Sequence, residues 1–165
     1  MKNTIKKLLE LTLALVFVLG LVACAPAPKM DLEDAQENLE DEDYYVYYSE
    51  DGDESEGIEE SLYGYNDDDM IVVVRFAKAS TARLYYSQMV SSKNRELKSS
   101  KTYLKYKEHI LKTYSDDMDS DMEDSLEDSI ENLEDEIKET KDIVIGMRGK
   151  VVWYGTKDAI KDSKG

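Results

Sequence analysis

At 165 residues the chain has room for one hydrophobic core, and its 37 acidic against 21 basic side chains leave a formal charge of −16. That charge excludes nucleic acid and anionic lipid headgroups as partners reached by electrostatic attraction. A single cysteine, Cys24, excludes an internal disulfide, and a single histidine, His109, leaves little of the usual machinery of nucleophilic catalysis.

The chain opens with Lys2, Lys6 and Lys7 and continues through residues 8–22, which are apolar except for Glu10, Thr12 and Gly20. A basic n-region followed by an apolar h-region is the pattern of a secretory signal peptide. Its strongly apolar part, residues 11–22, is shorter than the roughly 20 residues a helix needs to span a bilayer, and no basic stop-transfer cluster follows. The stretch ends on Leu21-Val22-Ala23-Cys24, which resembles the lipobox of bacterial lipoproteins. The resemblance implies cleavage by signal peptidase II between Ala23 and Cys24 and a diacylglycerol on the Cys24 sulfur. Residues 1–23 are then the signal peptide, and the mature chain is anchored in the cell membrane on its extracytoplasmic side. Each buried methylene contributes ~0.8 kcal/mol, so two palmitate-length chains hold a domain that one holds only marginally. Residues 1–23 carry three lysines and Glu10; without them 18 basic and 36 acidic side chains remain, a charge of −18. Such acidity keeps an exported domain dissolved and off the membrane surface.

Residues 24–30, with Pro26 and Pro28, read as the lipidated cysteine and a short extended tether, because proline disfavours helix at itself and at the residue before it. Residues 31–165 read as a single α+β domain. Asp31 is placed to cap a short helix with Leu32, Ala35 and Leu39 on one face, ending near Glu42. Tyr44, Tyr45, Val46, Tyr47 and Tyr48 predict a first strand, and residues 49–57 a polar connection. Residues 58–65 form a second strand, Asn66, Asp67, Asp68 and Asp69 a turn, and residues 70–77 a third strand. In the third, Met70, Val72, Val74 and Phe76 alternate with Ile71 and Val73, so both faces are apolar and the strand is central or covered by helices.

From Ser80 the period becomes helical: Ala82, Tyr85, Tyr86, Met89, Leu97, Leu104, Ile110, Leu111, Tyr114 and Met118 share one broad stripe. A shorter seam follows with Met122, Leu126, Ile130, Leu133 and Ile137. The acidic stretch at residues 115–121 lies between, leaving one long helix or a helical hairpin between Ser80 and Asp142. The hairpin is favoured, since a single helix would carry most of its stripe beyond any sheet the chain can supply. Ile143-Val144-Ile145 and Val151-Val152-Trp153-Tyr154 flank residues 146–150 as a hairpin turn, and Thr156 caps a last helix with Ala159 and Ile160. The expected fold class is α+β: an antiparallel sheet of about five strands, a long helix or helical hairpin packed on one side, and short helices at both ends.

The lipobox, the segment from Asp69 to Tyr86, and the ending from Gly149 to Ile160 together resemble a loose group of small uncharacterised lipoproteins of low-GC Gram-positive bacteria. The resemblance supports location and fold and transfers no catalytic residue.

No Ser-His-Asp or Cys-His site is available, and His109 falls opposite the apolar stripe of its helix, on the solvated side. Gly146 and Gly149 flank a turn between strands, which is not the strand-to-helix setting of a phosphate loop. No catalytic residue is assigned and no enzymatic activity is expected. Asp117, Asp119 and Asp121 stand at positions one, three and five of a potential calcium loop, with Asp128 at position twelve. Met122 occupies the sixth position, where the sharp turn of such a loop uses glycine. Residues 51–55 and 66–69 are further oxygen-rich turns, of the composition that ordinary turns between strands also have. Tyr44, Tyr45, Tyr47, Tyr48, Tyr63 and Tyr65 lie on neighbouring strands, so alternate rings face a core and a surface able to meet a peptide or glycan. The leading expectation is a noncatalytic envelope lipoprotein that contacts another protein; the alternative is a weak Ca2+ or other cation-binding lipoprotein using residues 117–128. Cys24→Ala should release the protein from the membrane fraction into the soluble fraction, and membrane attachment that survives the change would count against the lipid anchor.

Overall fold

A computed structural model describes residues 26–165 except 54, 116 and 117. Residues 1–23, expected from the sequence to be a signal peptide, together with Cys24 and Asp117 lie outside the described residues. The fold is α+β. The elements in chain order are α1 (Leu32–Asp41), β1 (Tyr45–Ser49), β2 (Ile58–Tyr65), β3 (Met70–Phe76), α2 (Ala79–Tyr114), α3 (Ser120–Asp142), β4 (Val144–Arg148), β5 (Val151–Gly155) and α4 (Lys157–Asp162). They group into two compact units, residues 84–143 and the remainder.

In the sheet unit the five strands run in the order β1-β2-β3-β5-β4, each antiparallel to its neighbours. The central strand is β3, as its two apolar faces predict. On one face Ile71 and Val73 pack with Leu62, Val151 and Trp153 beneath Leu32, Ala35 and Leu39 of α1 and Ala159 and Ile160 of α4. Leu32, Leu39 and Ile160 are essentially sealed from solvent, each contributing roughly 1.5–3 kcal/mol by burial. On the other face Val74, Phe76 and Val152 are also buried.

Both short helices begin as the sequence predicts. The Asp31 carboxylate accepts from the N–H groups of Glu33 and Asp34 at 3.2 and 3.3 Å, and the Thr156 hydroxyl accepts from Ala159 N–H at 3.4 Å. Residues 26–30 are more than a tether. Trp153 Nε1 donates to the Pro26 carbonyl at 3.0 Å, Arg75 Nη2 donates to the Met30 carbonyl at 2.7 Å, and Ala27 and Met30 pack against the core. Arg75 also pairs with Glu60 at 3.1 Å, so one guanidinium ties the entry of α1 to two strands.

The β4–β5 turn is tighter than expected, because only Gly149 and Lys150 connect the strands and Gly149 takes φ 64°. Gly146 therefore belongs to β4. It sits against the Trp153 indole, where a Cβ would lie 2.3 Å from a ring carbon. The glycine is there for close approach of a ring, a need that composition alone does not distinguish from a turn.

In the other unit α2 and α3 run antiparallel as a helical hairpin. Tyr86, Val90, Lys93, Leu97, Ser100, Leu104, Lys107 and Leu111 recur every three or four residues and all are buried or half-buried. Facing them are Leu126, Ile130, Leu133, Ile137 and Thr140. Three polar side chains, seven residues apart, reach across this seam. Ser100 Oγ donates to Glu136 at 2.8 Å, Lys107 Nζ donates to Ser129 Oγ, and Lys93 Nζ donates to the carbonyls of Lys141 and Ile143. The pairs 93 with 143, 100 with 136 and 107 with 129 share one midpoint, Met118, so they define a single register. At the start of α3 the Asp119 carboxylate accepts from Met122 N–H at 2.9 Å.

Helix α1 ends with a conformation the sequence does not announce. Tyr44 N–H donates to the Leu39 carbonyl at 3.0 Å and Asp43 N–H to the Glu40 carbonyl at 3.2 Å, the paired bonds of a Schellman motif. Its left-handed residue is Asp43, at φ 62°, where a Cβ costs roughly 1–2 kcal/mol. Asp43→Gly should therefore stabilise the fold by up to ~1 kcal/mol after the entropy cost of glycine in the unfolded chain. An increase in the urea midpoint without a change of slope would show it.

Candidate functional site: a tyrosine platform at the sheet edge

Pairing of β1 with β2 sets Tyr45 opposite Tyr65 and Tyr47 opposite Tyr63. The strand period then puts all four rings on one face. Tyr45 and Tyr65 stack with centroids 5.6 Å apart, and Tyr63 meets Tyr65 at 5.4 Å. They remain solvent-facing: Tyr45 is 71% exposed, Tyr47 68%, Tyr63 41% and Tyr65 44%. Four adjacent aromatic rings in water are a costly surface for a strand pair to carry, and such patches mark contact sites.

The remaining tyrosines of the cluster turn inward. Tyr48 packs half-buried against the core, and loss of water, followed by the charges of Glu60 and Glu50, raises its phenol above the ordinary range. Tyr44, just before β1, is buried, and its hydroxyl donates to Asp162 Oδ2 of α4 at 3.1 Å. Burial first, then the charge of Asp69 and the bond to Asp162, push its pKa well up.

Exposed carboxylates flank the platform strand at both ends. Glu40, Asp41, Glu42 and Asp43 precede β1, and Glu50, Asp51 and Asp53 follow it. Asp53 is engaged in its own turn, its Oδ1 accepting from Ser55 N–H at 2.8 Å, and the hydrogen bonds from Ser55 hold its carboxyl below the usual range. Asn66 likewise serves the β2–β3 turn, its side-chain oxygen accepting from the N–H groups of Asp68 and Asp69 at 3.0 and 2.7 Å. Both oxygen-rich turns thus use side-chain oxygens to close local backbone bonds.

The three described carboxylates of the potential calcium loop, Asp119, Asp121 and Asp128, are strung along the first turns of one helix. Asp119 caps α3, Asp121 lies in its first turn, and Asp128 stands two turns further on. Seven residues of helix separate Asp121 from Asp128 by ~10 Å of rise, whereas calcium oxygens sit roughly 2.3–2.6 Å from the ion. Asp121 and Asp128 therefore do not converge on one point. Among the described residues no group of three or more His, Cys, Asp or Glu side chains is placed to hold a metal ion. His109 is exposed on α2.

Two features escaped the linear reading. The stacking of Tyr45 on Tyr65 depends on strand register, which no local pattern specifies. The polar seam of the hairpin did leave a signal, the seven-residue spacing of Lys93, Ser100 and Lys107, but an apolar-stripe count passes over polar residues. Burial lowers the Lys93 ammonium, against the opposing charge of Asp142.

No protein-family model, curated protein or solved structure matches the chain.

Tyr44→Phe separates the core tyrosine from the exposed four. Because the folded phenol titrates above its ordinary pKa of 10.0, the native state favours the neutral form. The stability it contributes is complete below that pH and is lost as pH rises beyond it. The variant should lose about 1 kcal/mol near neutrality through the missing bond to Asp162, and unfold less steeply than the parent above pH 10. Urea midpoints across that range measure both effects.

Proposed function

We propose that the chain is a membrane-anchored extracytoplasmic lipoprotein, held through Cys24, whose noncatalytic α+β domain contacts another protein through the tyrosine platform. The observation that carries the contact reading is the four-ring surface itself, solvent-facing on a strand pair whose other face packs against the core. The noncatalytic part rests on the sequence, with one histidine and one cysteine, the latter assigned to the lipid.

The fastening of residues 26–30 supports the anchored reading. A lipid on Cys24 would be two residues from Pro26, whose carbonyl is bound by Trp153, a reach of at most ~7 Å. The sheet unit would then ride directly at the bilayer surface, and a chain of −18 charge would avoid lying down on anionic headgroups. Among the described residues no helix is long and apolar enough to cross a membrane.

A photo-crosslinking residue placed at Tyr47 tests the contact surface in living cells. The expected result is a discrete adduct of higher mass from that position, and none from Asp135 on the exposed side of α3. Equal labelling from both positions, or no adduct from any of the four tyrosines, would remove the platform as a contact surface.

A further inference from the structure

We infer that the outer edge of β1 accepts an extended segment of the partner protein as a sixth strand, and that this segment carries basic residues at its two ends. The inference rests on the protein-contact reading above and names the chemistry of the contact.

Among the described residues β1 is hydrogen-bonded on one side only, to β2. On its other side the N–H and C=O groups of alternate residues have no strand partner among the described residues. Edge strands are usually blunted by a charged side chain, a proline or a bulge within the strand. Tyr45, Val46, Tyr47, Tyr48 and Ser49 include none of these, and the register shift between Ile58 and Glu60 in β2 falls beyond the paired length of β1. The opposite edge, β4, carries Gly146 and ends in Arg148.

The charges lie instead at the two ends of the strand. The exposed runs Glu40, Asp41, Glu42, Asp43 and Glu50, Asp51, Asp53 bracket six uncharged residues, Tyr44 and the five of β1. Two copies of this edge cannot pair comfortably. Antiparallel pairing sets the leading acidic run of one copy against the trailing acidic run of the other, and parallel pairing sets like against like. Both arrangements bring carboxylates within the ~8 Å Debye length of physiological salt. The same bracketing attracts a strand with Lys or Arg beyond each end of an uncharged middle. Tyr45 and Tyr47, on the edge strand itself, offer ring faces beside the incoming side chains, and tyrosine faces attract ammonium and guanidinium groups. Main-chain bonds to β1 would supply the binding, and the acidic brackets and tyrosines the selection.

The test varies the probe and leaves the chain untouched, so folding is not at stake. The full chain in neutral-detergent micelles is titrated with a synthetic peptide of alternating valine and threonine, five residues long, with two lysines at each end. A second peptide has glutamates in place of the lysines. Two further lysine peptides are N-methylated on alternate amides, one set on each edge. The expected result is that the lysine peptide binds at least about tenfold more tightly than the glutamate peptide at low salt, with the gap narrowing at high salt. Hydrogen exchange at the β1 amides should slow on binding, and one of the two N-methylated peptides should lose affinity while the other keeps it.

Equal affinity of the lysine and glutamate peptides would overturn the charge selection. Undiminished binding by both N-methylated peptides would overturn strand addition and place the peptide across the tyrosine rings. Tyrosine fluorescence quenched by a neutral N-acetylglucosamine oligomer, with no response to any peptide, would overturn the inference in favour of a glycan surface. Should no peptide bind while the Tyr47 crosslink persists in cells, strand addition falls and the protein-contact reading stands. Loss of both removes both.

Discussion

The burial of β3 on both faces is the constraint on which the sheet unit depends. A strand reading Met-Ile-Val-Val-Val-Arg-Phe has no solvated side, so it needs a neighbour strand on each edge and cover above and below. The chain supplies β2 and β5 as neighbours, and α1 and α4 as one cover. The two short helices come from opposite ends of the sequence and are themselves joined. Asn38 donates to the Ser163 carbonyl at 3.0 Å, and Tyr44 donates to Asp162. With no disulfide available, this closure is made by packing and hydrogen bonds alone. Arg75, at the end of β3, extends the closure to the segment ahead of α1, because its guanidinium satisfies both Glu60 and the Met30 carbonyl.

The outer strand pair is built on different terms. β1 and β2 give one face to the core through Val46, Tyr48 and Leu62, and the other to solvent through four tyrosines. Tyrosine suits such a face, since its ring packs against neighbouring rings while its hydroxyl stays hydrated. The acidic runs at the ends of β1 have a second consequence. On the strand-addition inference they would also oppose pairing between the edges of two copies, while the strand itself stays uncharged.

The helical hairpin makes the complementary trade. Its seam alternates leucines at 97, 104 and 111 with Lys93, Ser100 and Lys107. An all-apolar seam would bury more surface, yet it would tolerate sliding of one helix along the other by a heptad. Ser100, buried in the seam and donating to Glu136, adds a polar contact made at the observed register, the way a single polar residue helps to fix helix alignment. Lys93 adds a further role by capping the carbonyls at the end of α3, where a positive charge also meets the negative end of the helix dipole.

Much of this fold was legible in the linear pattern because it rests on short-range periodicity. The caps Asp31 and Thr156, the two-sided apolar run of β3, the switch to helical period after Ser80 and the turn residues near 66–69 all act within a few positions of themselves. The expected six-tyrosine division into core and surface followed from the period of a strand, although which rings stack did not. What tertiary structure decided were the long-range and close-approach features. Gly146 looks like a turn residue until Trp153 is laid over it, residues 26–30 look like a free tether until Trp153 and Arg75 reach their carbonyls, and Asp121 and Asp128 look like members of one loop until helix α3 draws them apart. Each of these depends on an atom supplied by a residue remote in sequence or on the rise of a helix already formed. Local pattern determines which elements the chain makes; only their assembly decides which of their groups meet.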